Sequence, residues 1–295
     1  MDYLKRTTIC AVASAIALTA GAQAALSKDL RIALQSDADV LDTVQSRTFV
    51  GRIVYASLCD KLVDITPDLE IIPQLATSWE TASDGMSVTF QLREGVIFHD
   101  GTPFNAAAVA ANIERSQTLD ESRRKSELKS ITSTEVLGDY EIKMNLGGAD
   151  ATLLAQLAAR AGMMLSPTAA AEAGADFGQN PVCSGPFSFT ERVAQDKIVL
   201  TRFADYWNAD EIAFDSVTFL PIPDTTVRLA NLQSGDIDML ERLAATDLAQ
   251  AEADADLVVQ SAVSLGYQGI TFNIDNGARG DNPWGNDKRL RQALS

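Results

Sequence analysis

The chain of 295 residues holds a single histidine, His99. A serine hydrolase would need that histidine beside a serine on a G-x-S-x-G turn, and the sequence has no such turn. His99 falls between two turn signals, where a lone histidine reads as structural. Asp37, Asp39 and Asp42 crowd one segment as calcium ligands do. The glycine and closing glutamate of an EF-type loop are missing, so the segment reads as a solvated loop. No Walker loop, dinucleotide fingerprint, H-E-x-x-H pair or metal-spaced cysteine set occurs. Carboxylates are numerous enough for a glycosidase-type acid pair, yet no two stand out. The pattern favours binding over catalysis, with no metal and no cofactor expected.

Composition narrows the setting. Lys5 and Arg6 precede an apolar run over 9–20, too short to span a membrane, that ends in Ala22-Gln23-Ala24. That is a secretory signal with an A-x-A cleavage site, so residues 1–24 are read as a cleaved signal peptide and the rest as exported. Cys10 lacks the small residue expected ahead of a lipidated cysteine. Losing Asp2, Lys5 and Arg6 leaves 39 acidic and 22 basic residues, net −17. Such a charge argues against nucleic acid or an anionic membrane as partner. Cys59 and Cys183 are then the only thiols. In an oxidising compartment they are a candidate disulfide, worth about 4 kcal/mol in the chain-entropy model. Two small buried apolar residues would be the alternative. About 270 exported residues exceed the usual single domain, so two structural units are expected.

The elements that must position these residues are clearest over 73–115. Met86, Val88, Phe90 and Leu92 alternate with polar residues, as a half-buried strand requires. Asp84-Gly85 turns the chain into it, and Asp100-Gly101 turns it again after Val96-Ile97-Phe98. Asn105 reads as the cap of a helix, with Phe104 and Val109 spaced as a hydrophobic staple. Before this lie a strand over 29–34, the polar loop 35–46, a helix over 47–58 and a short strand over 62–65. Trp79 reads as a core anchor. After it come a charge-rich segment over 120–129 read as mobile surface, and strands over 131–136 and 141–146 joined at Gly138-Asp139-Tyr140. Short helices over 151–161 and 167–174 flank a buried strand over 163–165. A return to a different layer over 181–186 leads to strands over 187–193, 197–202 and 216–220. A helix capped by Asp224 and stopped by Gly235 precedes a strand over 236–239, a helix over 246–254 and a strand over 265–273. Alternation of strand and helix here implies an α/β layer with parallel strands. A last helix begins near Asp287.

The 73–115 stretch resembles the signature region of the family 5 solute-binding proteins of ABC importers, the dipeptide-, oligopeptide- and nickel-binding type. The matching residues are Leu75-Ala76, Trp79, Asp84-Gly85, Phe90-x-Leu92-Arg93, Gly95-Val96-x-Phe98-His99-Asp100-Gly101 and Pro103-Phe104 before Ala107 and Val109. Similar segments follow in order: Gly185-Pro186-Phe187 to Asp205-Tyr206-Trp207, Leu232-Gln233-Ser234-Gly235-Asp236-Ile237-Asp238, and Phe272-Asn273 to Arg289-Leu290-Arg291-Gln292-Ala293-Leu294-Ser295. One departure is Ala108, where the family carries an acid that would complete a capping box.

The resemblance implies an α/β fold of the periplasmic binding protein type II-like class. Lobe I would comprise residues 25–60 and 182–280, with an inserted α+β subdomain over 61–181. Residues 281–295 would open a lobe II that this truncated chain lacks. It further implies a periplasmic, monomeric, non-enzymatic protein that captures di- or oligopeptides by lobe closure and delivers them to ABC permease subunits in the inner membrane. A nickel chelate, glutathione or an oligosaccharide are alternative ligands within the family; an exported hydrolase is the alternative class. By position in the family, the lobe I contacts would come from Gln45, Ser46 and Arg47, from Cys183, Ser184 and Gly185, and from Tyr267. Cys183 stands where the family often has glycine, and a Cys59–Cys183 bond would pin the first helix to the returning strand.

Overall fold

The computed structural model describes residues 28–262 and 269–294. The signal segment, Tyr267 and the start of the strand expected over 265–273 lie outside the described residues. The chain divides into two compact units between Asp247 and Leu248.

In the first unit, strand β1 (Asp29–Leu34) runs from an exposed start into the core. Helix α1 (Phe49–Leu58) is capped by the Thr48 hydroxyl, which accepts from the Gly51 N–H, and it buries Val50, Val54, Tyr55 and Leu58. A small hairpin follows, β2 (Val63–Ile65) against β3 (Ile71–Pro73). Strands β4 (Ala76–Thr81) and β5 (Ser87–Leu92) pair antiparallel across the Asp84-Gly85 turn, where Gly85 takes φ +70°. Val88, Phe90 and Leu92 are buried as the alternation required. Met86 departs from it: it sits in the turn, 41% exposed, its N–H bound to the Asp84 carboxylate.

Asn105 caps helix α2 (Ala106–Thr118) by accepting from the Ala108 N–H, and both staple residues, Phe104 and Val109, are fully buried. No acid stands in the first turn of α2, so this one cap bond carries the helix start. The segment 120–129 is not mobile surface. Ser122, Arg124 and Leu128 are buried, and the Arg123 N–H donates to the Val44 carbonyl. Its charges misled because arginine can be buried when its fork meets carbonyls.

Strands β6 (Ile131–Gly138) and β7 (Glu141–Leu146) complete an antiparallel sheet in the order β4-β5-β7-β6. Helices α3 (Leu153–Leu157) and α4 (Pro167–Ala173) follow, the latter capped by Ser166. Met163, Met164 and Leu165 between them are buried but form only single bridges, Lys61 with Met163 and Leu165 with Cys183, in place of the strand expected there. One hydrophobic core gathers residues from Leu62 to Met164, among them Phe90, Phe98, Phe104, Ile142 and Leu157.

The chain then returns as β8 (Phe187–Val193), β9 (Lys197–Arg202) and β10 (Ser216–Pro221), helix α5 (Thr225–Ser234) and β11 (Met239–Leu240). These join β1 in a sheet of order β11-β1-β10-β9-β8. Strands β10 and β11 pair parallel with β1, whereas β9 pairs antiparallel with both β10 and β8. The tight β8–β9 connection forbids a parallel pair, which needs a long crossover. Asp224 caps α5 and Gly235 ends it at φ +79°. Residues 236–238, expected as strand, instead shape the approach to β11, with Asp238 accepting from the Arg31 guanidinium at 2.8 Å. A second core lies beneath this sheet, built on Leu34, Leu41, Val54, Tyr55, Phe177, Leu200 and Phe219.

In the second unit, α6 (Leu248–Glu252) is shorter than expected, and residues 269–273 form no strand. Asn282 caps α7 (Pro283–Asn286) and Asp287 caps α8 (Lys288–Gln292), where a helix start was expected. Phe272 stacks on Trp284 with ring centres 6.0 Å apart.

The loop after β1 is pinned to α2 by one ion pair. Asp42 is fully buried and its carboxylate takes both nitrogens of the Arg115 fork, at 2.7 and 3.2 Å. Removing the cation strands a buried charge, so Arg115→Met should cost about 3–5 kcal/mol. Urea unfolding of the variant measures it; a midpoint within error of the parent would contradict the pairing's structural role.

Candidate ligand-binding site

The loop over 35–48 leaves the carboxyl end of β1, and its carboxylates are organisers, contrary to the solvated loop expected. Asp37 pairs with Arg192 at 3.0 Å, and Asp42 with Arg115. Asp39 accepts from the Ser46 and Thr48 hydroxyls and from the Arg47 N–H. Partial burial raises the Asp39 pKa, but those three hydrogen bonds outweigh it and leave the carboxyl below its ordinary value. The Tyr55 hydroxyl donates to the Val40 carbonyl from beneath. Local spacing hides these partners, which stand as far as 155 residues away.

Of the residues expected at the ligand, Ser46 is fully buried and Gln45 half-buried, its amide spent on Asp42 and on the Ala175 carbonyl. Arg47 is exposed. Beside them stand two arginines that spacing did not single out. Arg124 donates to the Ser46 carbonyl at 3.1 Å and pairs with Glu127. Arg160 donates through one nitrogen to the Thr48 carbonyl at 3.0 Å and, more weakly, to Ser46. Desolvation, then the like charges of Arg124 and Arg52, lower the Arg160 pKa. Arg160 is only half-buried and its other guanidinium N–H groups have no partner among the described residues. A cationic focus thus stands at this loop in an otherwise acidic chain.

The second expected cluster is structural in its contacts. Cys183 is bonded to Cys59 across 124 residues. Ser184 is buried and donates to the Met164 carbonyl. At Gly185, an added Cβ would lie 2.6 Å from the Leu58 carbonyl atoms, so only glycine fits between α1 and the returning strand. His99 locks the same place: its Nε2 bonds the Gly185 carbonyl at 2.9 Å, its Nδ1 accepts from the Cys183 N–H, and its ring meets Phe203 edge-on. Both nitrogens are consumed by main chain, which fits the structural reading of this histidine. Burial lowers its pKa, against weaker opposing contributions from Gly185 and Asp100.

Next to Cys59, Asp60 is buried and accepts from Trp207 Nε1 at 2.6 Å, from the Tyr206 hydroxyl at 3.2 Å and from Gln74 at 3.3 Å. Arg93 lies over the Trp207 ring at 3.8 Å. Desolvation pushes the Asp60 carboxyl up to about 6 despite the Trp207 and Tyr206 donors. A third polar group stands at the carboxyl ends of the parallel strands. There the Gln35 N–H donates to Glu241, and the exposed Arg242 reaches the Gln35 side chain. Ligands of open α/β sheets bind beyond such strand ends. Among the described residues no group of His, Cys, Asp and Glu could hold a metal ion, and no helix is long and apolar enough to cross a membrane.

The fold is that of the periplasmic binding proteins. AgaA from A. tumefaciens R10, solved in complex with agropinic acid, superposes with a TM-score of 0.73 and 28% identity, over 77% of this chain and 46% of that one. DppA from Helicobacter pylori, solved with the peptide STSA, gives 0.71 and 27% over 78% and 50%. Within that class, residues 70–295 match the bacterial extracellular solute-binding proteins, family 5, Middle, and the chain belongs to this family of solute-binding transport proteins. The glutathione-binding protein GsiB of Pectobacterium atrosepticum is 31% identical over 270 residues, 91% of this chain and 51% of the relative. Its counterpart in Escherichia coli O157:H7 is 30% identical over 291 residues, 98% and 56%. The chain spans about half the length of the curated relatives it matches.

Asp60 and His99 make opposite contributions to the pH profile. An unfolded aspartate titrates near 3.8 and folded Asp60 near 6. The stability that Asp60 adds is therefore full below the first value and lost as pH rises through the second. His99, lowered, adds stability that is lost as pH falls below its unfolded value. Asp60→Asn should thus gain on the parent by up to about 3 kcal/mol between about pH 4 and pH 7. Urea midpoints across that range read it; a gap independent of pH would refute the assignment.

Proposed function

We propose that this chain supplies a solute-capturing lobe of an exported binding protein that hands small, peptide-like solutes carrying a carboxylate to the permease of an ABC importer. The observation that carries this reading is Arg160, held by the Ser46 and Thr48 carbonyls with its remaining N–H groups unspent, next to the exposed Arg47. A half-buried guanidinium with free donors is suited to a carboxylate, which it can meet in a bidentate pair. Relatives support the class of solute: GsiB proteins bind glutathione, and DppA of H. pylori was solved with a peptide. The signal-like residues 1–24 and the extracellular family support export to the periplasm.

Of the seven residues expected at the solute, Arg47 would make contact. Gln45, Ser46, Cys183, Ser184 and Gly185 would act by fixing main chain, and Tyr267 stands as a further proposed contact. Residues 25–60 and 182–280 as core and 61–181 as insertion remain the organisation we propose. The core that gathers residues from Leu62 to Met164 and the Cys59–Cys183 bond support it, while Met163, Leu165, Ala170 and Phe177 of the insertion pack into the core of the flanking segments. Membership of a solute-binding transport family supports capture without turnover.

Calorimetric titration with reduced glutathione and with a dipeptide should show saturable binding without hydrolysis. Arg160→Met should weaken it by about 10- to 100-fold, the worth of a charged hydrogen bond, and flatten its dependence on salt. Hydrolysis of the peptide would favour the exported hydrolase. Absence of binding, or affinity indifferent to Arg160, would overturn the reading.

A further inference from the structure

Arg228, in α5, is 1% exposed, and no carboxylate pairs with it among the described residues. Its guanidinium donates to the carbonyls of Ile222 at 2.5 Å, Pro223 at 3.0 Å and Arg242 at 3.2 Å, while Nε is buried without a partner. A buried cation lacking a counter-charge is costly, and an apolar side chain of like volume would pack there without that cost. What the guanidinium adds is a rigid fork that reaches two separate chain segments at once.

Those segments are the exits of the two strands that flank β1. Ile222 and Pro223 follow β10, and Arg242 follows β11; both strands run parallel to β1. Arg242 is held at φ +57°, a left-handed conformation unfavourable for a residue with a side chain. Something must hold it there, and Arg228 grips its carbonyl. From that backbone the Arg242 side chain reaches Gln35 Oε1 at 3.4 Å, and the adjacent Glu241 accepts the Gln35 N–H at 3.1 Å. Glu241 is itself tied to β1 by its N–H on the Ala33 carbonyl.

We propose that Arg228 is a positioning residue for solute capture: it clamps the exits of β10 and β11 so that Glu241 and Arg242 are presented beside Gln35 at the strands' carboxyl ends. The clamp deepens the solute-binding reading above and rests on it for its purpose, though not for its existence. Arg228 touches no solute; it acts through Arg242.

Two readouts separate these parts. Trypsin cuts after Arg242 only when that backbone leaves its clamped conformation. In Arg228→Met, cleavage of the Arg242–Leu243 bond should accelerate at least about tenfold, the effect of weakening local closure by one factor of ten. Cleavage after the exposed Arg47 and Arg123 should not change. Reduced glutathione, titrated as probe, should bind the variant about tenfold more weakly at unchanged thermal midpoint. Arg228→Lys keeps the charge but loses the fork and should fall between parent and Arg228→Met in both readouts. If Arg228→Met gives no folded protein, the lysine variant carries the same comparison. Unchanged cleavage at Arg242, or acceleration at all three sites alike, overturns the clamp. If the parent itself binds no glutathione, the solute reading fails while the proteolysis still decides the clamp.

Discussion

The bond between Cys59 and Cys183 ties the point where the chain leaves one hydrophobic core to a segment that, from Met163 to Phe177, has rejoined that core. Everything between the two cysteines belongs mostly to the four-stranded sheet and its core; the flanking segments build the five-stranded one. Two passages of chain between two cores would be a weak joint if left to main-chain bonds alone. Here the passages are tied to each other covalently. His99 then bonds the cysteine that returns, and Asp60 draws Tyr206 and Trp207 onto the residue after the cysteine that departs. The polar loop after β1 and the strand exits can be held steadily because the joint beneath them is fixed.

That joint explains the treatment of charge. The chain is strongly acidic overall, yet its buried carboxylates each answer to a particular donor set: Asp42 to Arg115, Asp37 to Arg192, Asp60 to an indole and a phenol. Buried arginines also rest on carbonyls, Arg124 in addition to its pairing with Glu127 and Arg228 on carbonyls alone among the described residues. Acidity of the surface and cationic character at the loop are therefore compatible, since the surface excess is spread through solvent.

Local features were legible in the sequence where they depend on neighbours in the chain. Asn105 and Asp224 as caps, Gly85 and Gly235 at positive φ, and the Val88-Phe90-Leu92 alternation all rest on contacts within a few residues. Failures came where a distant partner decides. The loop over 35–46 and the segment over 120–129 look solvated because they are polar, but Asp42 finds its cation 73 residues away and Arg124 its carbonyl 78 away. Arg160, in a run of alanines, gave no sign of the loop it would meet across 112 residues. The expected contacts at Ser46 and Gly185 were placed in the right segments, yet burial turns these residues inward. That inward turn was set by Asp39 and Leu58, neither of which spacing could connect to them.

The topology also constrains the order in which the parts can form. Strand β1 must wait for β10, whose Ser216 pairs with its first residue, Asp29. The antiparallel sheet between them closes through shorter connections and needs nothing from beyond Leu146 for its strand pairing. A chain emerging amino end first therefore completes the inserted sheet while β1 and α1 remain without their partners. Cys59 and Cys183 both lie ahead of β8 to β11 in the chain. Formation of the covalent tie therefore requires none of the strands of the sheet beside it other than β1.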